Sequence, residues 1–85
     1  MVMVTILLKA EGKSVAYDME LPVNVPALIL VNQIVETLNE YRRALRISGK
    51  NKVLWAKRLD RIVNPDETLE HAGIWDGDYL ELNEL

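Results

Sequence analysis

The run Thr68-Leu69-Glu70-His71-Ala72-Gly73-Ile74-Trp75-Asp76-Gly77-Asp78-Tyr79-Leu80-Glu81-Leu82 holds the densest structural information in the chain. Thr68 has the hydroxyl of a helix N-cap, and Gly73 stands where one helical turn would close in a left-handed conformation. Leu69 and Ile74 are the apolar residues that such a turn presses into a core. Asp76-Gly77-Asp78 reads as a tight turn, with Gly77 free to take φ > 0. Tyr79-Leu80-Glu81-Leu82 then alternates with period two, so Leu80 and Leu82 share one face of a strand.

Working back from this run, Asn64-Pro65-Asp66-Glu67 is a turn. Arg61-Ile62-Val63 is a short strand, Arg58-Leu59-Asp60 a turn, and Val53-Leu54-Trp55-Ala56-Lys57 a strand before it. From Ala27 the period is helical: Ala27, Leu30, Val31, Ile34, Val35, Leu38, Tyr41 and Leu45 fall on one side, and Ile29 falls among polar residues. Leu28 sits at the edge of the apolar side. Pro26 suits the helix's first turn. The helix is expected to Glu40, and the periodicity permits it to reach Arg46, with Ser48-Gly49 as a stop.

At the start of the chain, Val2, Val4, Ile6 and Leu8 share one face of a strand. Glu11-Gly12-Lys13-Ser14 turns it. Val15, Tyr17, Met19, Leu21 and Val23 then alternate with Ala16, Asp18 and Glu20, which makes a β-hairpin. The order is β-β-α-β-β, a short turn and a last β. A hairpin and one helix bury their apolar faces only if the later strands extend the sheet beneath the helix. The expectation is an α+β fold: a mixed sheet of four to five strands packed on one helix. Its core is expected to contain Val15, Tyr17, Met19, Leu21, Val31, Ile34, Leu38, Leu69, Ile74, Leu80 and Leu82.

Thr68-Leu69, Ala72-Gly73-Ile74 and Asp76-Gly77-Asp78 with Leu80 and Leu82 resemble the end of ubiquitin-like β-grasp domains. Tyr17-Asp18-Met19-Glu20-Leu21-Pro22, leading through Val25-Pro26-Ala27 into an apolar helix, narrows this to a resemblance to the YukD/EsaB-like proteins. These are ubiquitin-like accessory components of bacterial type VII secretion systems. The same domain also resembles the cytosolic N-terminal part of a membrane component of related systems. The resemblance spans essentially the whole chain. It implies a cytoplasmic module that binds a protein partner, a secretion-system component, and is not an enzyme. Ubiquitin-type modifiers and sulfur carriers end in Gly-Gly, whereas this sequence ends Leu82-Asn83-Glu84-Leu85. A module that is not conjugated is therefore expected, with a modifier or sulfur-carrier relative as the alternative.

Composition agrees with one domain over residues 1–85. The 85 residues are 49% hydrophobic, enough for a small core and against disorder. There is no Cys, which excludes disulfides and thiolate chemistry and fits a reducing cytosol. The opening run Met1–Leu8 lacks a basic flank and the length of a membrane span, so it reads as a strand and no membrane insertion is expected. His71 is the only His, and neither a metal site nor a catalytic triad can be built around it. Asp76-Gly77-Asp78 lacks the ligand spacing of a calcium loop, and Gly12-Lys13-Ser14 lacks the rest of a phosphate-binding loop. No cofactor, metal or small-molecule substrate is expected.

The net charge of −3 hides an asymmetry. Eight of the ten basic residues lie in Arg42–Arg61, and seven acids follow Arg61 with no base among them. Two readings remain open. The signs mix on an ordinary folded surface, or they form two faces that steer partners. On the second reading, Arg42, Arg43, Arg46, Lys52, Trp55, Lys57, Arg58 and Arg61 are the candidate partner-binding residues, and the protein is a monomer or weak dimer. Basic residues around Trp55 also suggest nucleic acid, against which the negative net charge weighs. Trp55 is exposed if the odd positions of its strand face outward.

Overall fold

The computed structural model describes residues 1–10, 12–41, 47–48 and 50–84. Strands β1 (Val2–Ala10) and β2 (Lys13–Leu21) form the hairpin, and helix α1 (Ala27–Tyr41) follows. Then come β3 (Lys52–Ala56), β4 (Arg61–Val63), the four-residue helix α2 (Leu69–Ala72) and β5 (Tyr79–Glu84). The sheet has five strands in the order β2-β1-β5-β3-β4. It is mixed, because β1 and β5 run parallel while the other neighbours are antiparallel. The expected element order holds, and the short turn before the last strand is α2.

Alternation decides the faces. Val2, Val4, Ile6 and Leu8 of β1 are buried, as are Leu54 and Ala56 of β3 and Leu80 and Leu82 of β5. They pack against Leu30, Val31, Ile34, Val35 and Leu38 of α1 in one core. Leu69 and Ile74 close its lower end, as the sequence leads one to expect. Thr68 caps α2 by accepting the His71 N–H at 3.1 Å, and Gly73 ends the helix with φ 80°.

Three core expectations need correction. Val15, Tyr17 and Met19 are only half-buried and pack against the core from its margin. They lie on β2, an edge strand, so the core covers their inner face incompletely. Tyr41 is 79% exposed rather than part of the apolar stripe. It ends α1, where the ring makes a tilted contact with Tyr17 at 6.5 Å between centroids. Leu45 and the extension of the helix to Arg46 lie outside the described residues. Ile29 is exposed, as the wheel implies, and so is Leu28.

The start of α1 is capped by main chain. The Ala27 N–H donates to the Glu67 carbonyl at 2.8 Å, and the Leu28 N–H to the Pro65 carbonyl at 3.0 Å. These bonds satisfy amides that a helix cannot pair for itself.

Candidate functional site

Burying Leu54 and Ala56 sends Val53 and Trp55 of β3 to the other side of the sheet, away from α1. Paired residues of neighbouring strands share a face, so the register lays out that surface in rows. One row crosses the sheet as Ala16, Leu7, Glu81, Trp55 and Ile62. Another runs Asp18, Thr5, Tyr79. A third places Glu20 beside Met3. Leu7, Trp55 and Ile62 are half-buried, and Met3 and Tyr79 are exposed. On the outer face apolar side chains therefore stand among charged ones, with Glu81 between Leu7 and Trp55.

The expected basic residues separate into several places. Lys57 follows Trp55 by two and pairs with Glu81 at 3.3 Å. Lys52 pairs with Glu84 at 2.9 Å, which holds that carboxyl below its ordinary range through the hydrogen bond. Both lysines line an open cleft of about 560 Å³ where β1 and β5 part after Leu7 and Glu81.

Arg58 and Arg61 lie instead around the C-terminus of α2. Arg58 forks onto Asp78, with Nε–Oδ1 and Nη2–Oδ2 both 2.9 Å, and Nη2 donates to the Gly73 carbonyl at 2.6 Å. Its guanidinium carbon stands 3.7 Å from the centre of the Trp75 ring. The hydrogen bond from Arg58 keeps Asp78 below the usual carboxylate range, despite its burial, and raises Arg58 in turn. Arg61 forks onto Glu67 at 2.9 and 3.1 Å and donates to the Ala72 carbonyl at 3.3 Å. That bond and the Asn64 N–H lower Glu67 to about 2. Two arginines thus tie the carbonyls ending α2 to acids of the acidic segment.

Lys52, Lys57, Arg58 and Arg61 are therefore each paired within the chain, while Arg42, Arg43 and Arg46 lie outside the described residues. Of the expected site residues, Trp55 and Lys57 share the outer face. Arg61 pairs in register with inward-facing Ala56, so it belongs to the other side. The sequence reading passed over Met3 and Tyr79. The alternation that buries Val2, Val4 and Leu80 is the signal that would have placed them outside. Among the described residues, no group of three or more His, Cys, Asp or Glu could hold a metal ion. No helix there is long and apolar enough to cross a membrane.

Solved structures share this arrangement. A Caldiarchaeum subterraneum ubiquitin matches with TM-score 0.72 at 19% identity, covering 99% of this chain and 92% of that one. The ubiquitin-like domain of the Mycobacterium tuberculosis type VII secretion system protein ECCD1 matches with TM-score 0.58 at 20% identity, covering 96% and 98%. A chain of the MycP5-free ESX-5 inner membrane complex matches with TM-score 0.70 at 18% identity, over 99% of this chain and 21% of that one. These likenesses establish the ubiquitin-like fold. Among curated proteins no relative matches. The sequence profile described as "WXG100 protein secretion system (Wss), protein YukD" matches residues 1–82, nearly the whole chain, and the chain accordingly belongs to the YukD family of ubiquitin-like secretion-system proteins.

Proposed function

We propose that this chain is a non-enzymatic, cytoplasmic interaction module of the secretion apparatus, and that it docks onto another component through the outer face of its sheet. The observation that carries the reading is the neighbouring pair Trp55 and Ile62, with Leu7 across Glu81, all half-buried on the side of the sheet away from the helix. A Trp in the middle of such a face has the composition and setting of an interface anchor. Of the expected basic residues, Lys57 shares this face with Trp55 and is paired with Glu81, whereas Lys52 is paired with Glu84 and Arg58 and Arg61 are ion-paired at the end of α2. Arg42, Arg43 and Arg46 join the proposed surface on sequence grounds. The partner is a membrane component of the apparatus, supported by the same fold occurring in a chain of the ESX-5 inner membrane complex. The module acts by binding and is not conjugated.

The test is calorimetric titration of the chain against the cytosolic parts of the secretion system's membrane components. Trp55→Ala should weaken the complex by about tenfold or more, as loss of an anchor does. Unchanged affinity, or no binding to any component, would overturn the reading. Intact mass after incubation with activating enzyme and ATP tests conjugation, and no added mass is expected.

A further inference from the structure

Trp75 is 64% exposed, yet it is held in place from several directions. Its main-chain N–H donates to Asp78 Oδ2 at 2.9 Å. The same carboxylate takes both arms of Arg58, whose guanidinium lies over the indole at 3.7 Å. The turn bearing Trp75 is also fastened to β1. Asp76 Oδ1 accepts the Met3 N–H, and the Gly77 N–H donates to the Met3 carbonyl, both at 2.8 Å. Tyr79, which leaves the same turn, stands beside Thr5 on the outer face. Met3, Trp75 and Tyr79 are thus carried by one turn and the strands bonded to it, and all three are exposed. Trp, Tyr, Met and Arg are the side chains that interfaces concentrate. A side chain already fixed loses little freedom on binding.

The charge beside this patch differs from that around Trp55. Glu20 lies next to Met3 in the register and Asp18 next to Thr5, while Asp76 sits on the turn itself. Among the described residues, none of these three carboxylates has an ion-pair partner, whereas Lys52, Lys57, Arg58 and Arg61 are all neutralised by acids. The side-chain charge left uncompensated at this end of the sheet is negative. It would repel nucleic acid and anionic lipid and attract a cation.

We propose that Met3, Trp75 and Tyr79, rimmed by Asp18, Glu20 and Asp76, dock a cationic amphipathic segment of a partner protein. The segment's apolar side chains cover the aromatic patch, and its Lys or Arg side chains meet the carboxylates. This rests on the docking reading above for the assignment to a protein partner, and it adds a second contact with its own chemistry.

The probe is a synthetic amphipathic peptide of Leu and Lys, about 14 residues or four helical turns long, titrated into isotopically labelled protein. A second peptide carries Glu at every Lys position, and vesicles of anionic phospholipid form a third arm. The Lys peptide should shift the amide resonances of Met3, Glu20, Trp75 and Tyr79. Trp75→Ala should weaken it about tenfold. That substitution leaves the backbone bond to Asp78 in place. Replacing Asp18 by Asn and Glu20 by Gln should weaken it about threefold, the scale of exposed charge pairs. Trp55→Ala should leave peptide affinity unchanged, so failure here and failure of the Trp55 surface are told apart. Equal binding of both peptides, shifts centred on Trp55, capture of vesicles through Trp75, or no binding at about 1 mM peptide would each overturn the proposal.

Discussion

The main-chain amide of Ala27 donates to the carbonyl of Glu67 at 2.8 Å, so the helix is capped by the loop that follows the edge strand β4. The Glu67 side chain holds that loop in turn, taking the Asn64 N–H at 2.8 Å and both arms of Arg61. One residue therefore joins the helix start, the 64–67 turn and the end of α2.

This arrangement makes stability depend on acid. Glu67 is lowered from 4.5 to about 2 on folding, first by the Arg61 hydrogen bond. A carboxyl depressed in the folded state adds stability above its unfolded value and loses it as pH falls toward the folded one. The Glu67 contribution is thus complete above about pH 5 and fades between 4.5 and 2. Glu67→Gln should cost about 1 kcal/mol near neutrality, and the two proteins should converge in acid. Urea unfolding at two pH values checks this. A gap that is the same near pH 7 and near pH 3 would show that the charge is not what Glu67 contributes.

Leu80 is fully buried and stands at the crossing of β1, β5 and β3, paired with Ile6 on one side and Ala56 on the other. Removing its isopropyl group leaves a cavity walled by strand backbone, which closes poorly. Leu80→Ala should cost about 2–5 kcal/mol. A loss below about 0.5 kcal/mol in chemical denaturation, the surface range, would contradict this placement.

How far the sequence could be read follows from what each pattern measures. The 68–82 run specified its cap, its two glycine turns and the inward pair Leu80 and Leu82 because every one of those features is local. Period two told which side of β2 is apolar but not where β2 sits in the sheet. Val15, Tyr17 and Met19 are half-buried because the strand is at the edge. Helical periodicity likewise gave Tyr41 its side of the wheel without saying how far the sheet extends beneath it. The charge asymmetry was legible as a linear fact. Its resolution into Lys52–Glu84 and Lys57–Glu81 needed β3 and β5 to be neighbours, a long-range relation that no local pattern encodes.

Gly73 closes α2 with φ 80°, its N–H bonded to the Glu70 carbonyl at 3.2 Å. A Cβ built there meets nothing within 4 Å. The cost of Gly73→Ala is therefore backbone strain alone, about 1–2 kcal/mol. Thermal unfolding measures it, and a neutral result would mean that the turn relaxes to φ < 0.

Ile29 is 48% exposed, on the polar side of α1. Ile29→Lys should change stability by no more than about 0.5 kcal/mol. A large loss in urea unfolding would reveal that this side of the helix is covered by another chain in solution.

Arg58 has three tasks: it pairs with Asp78, donates to the Gly73 carbonyl and covers the Trp75 indole. Trp55 and Trp75 are the chain's two tryptophans, so Trp55→Phe leaves Trp75 as the single fluorophore. In that background Arg58→Met keeps an apolar stem but removes the fork and the cation over the ring. Asp78, mostly buried, would lose its charged partner and keep only the Trp75 N–H. Its carboxyl should then titrate higher than in the parent, since the Arg58 bond is the largest cause of its depression. Acrylamide should quench Trp75 more readily, and its fluorescence anisotropy should fall as the ring gains freedom. Arg58→Lys retains the charge without the planar fork and should recover the Asp78 titration better than the anisotropy. If Arg58→Met leaves both quenching and anisotropy unchanged, the guanidinium does not hold the indole, and the ordering of Trp75 must come from the main-chain bond to Asp78 alone.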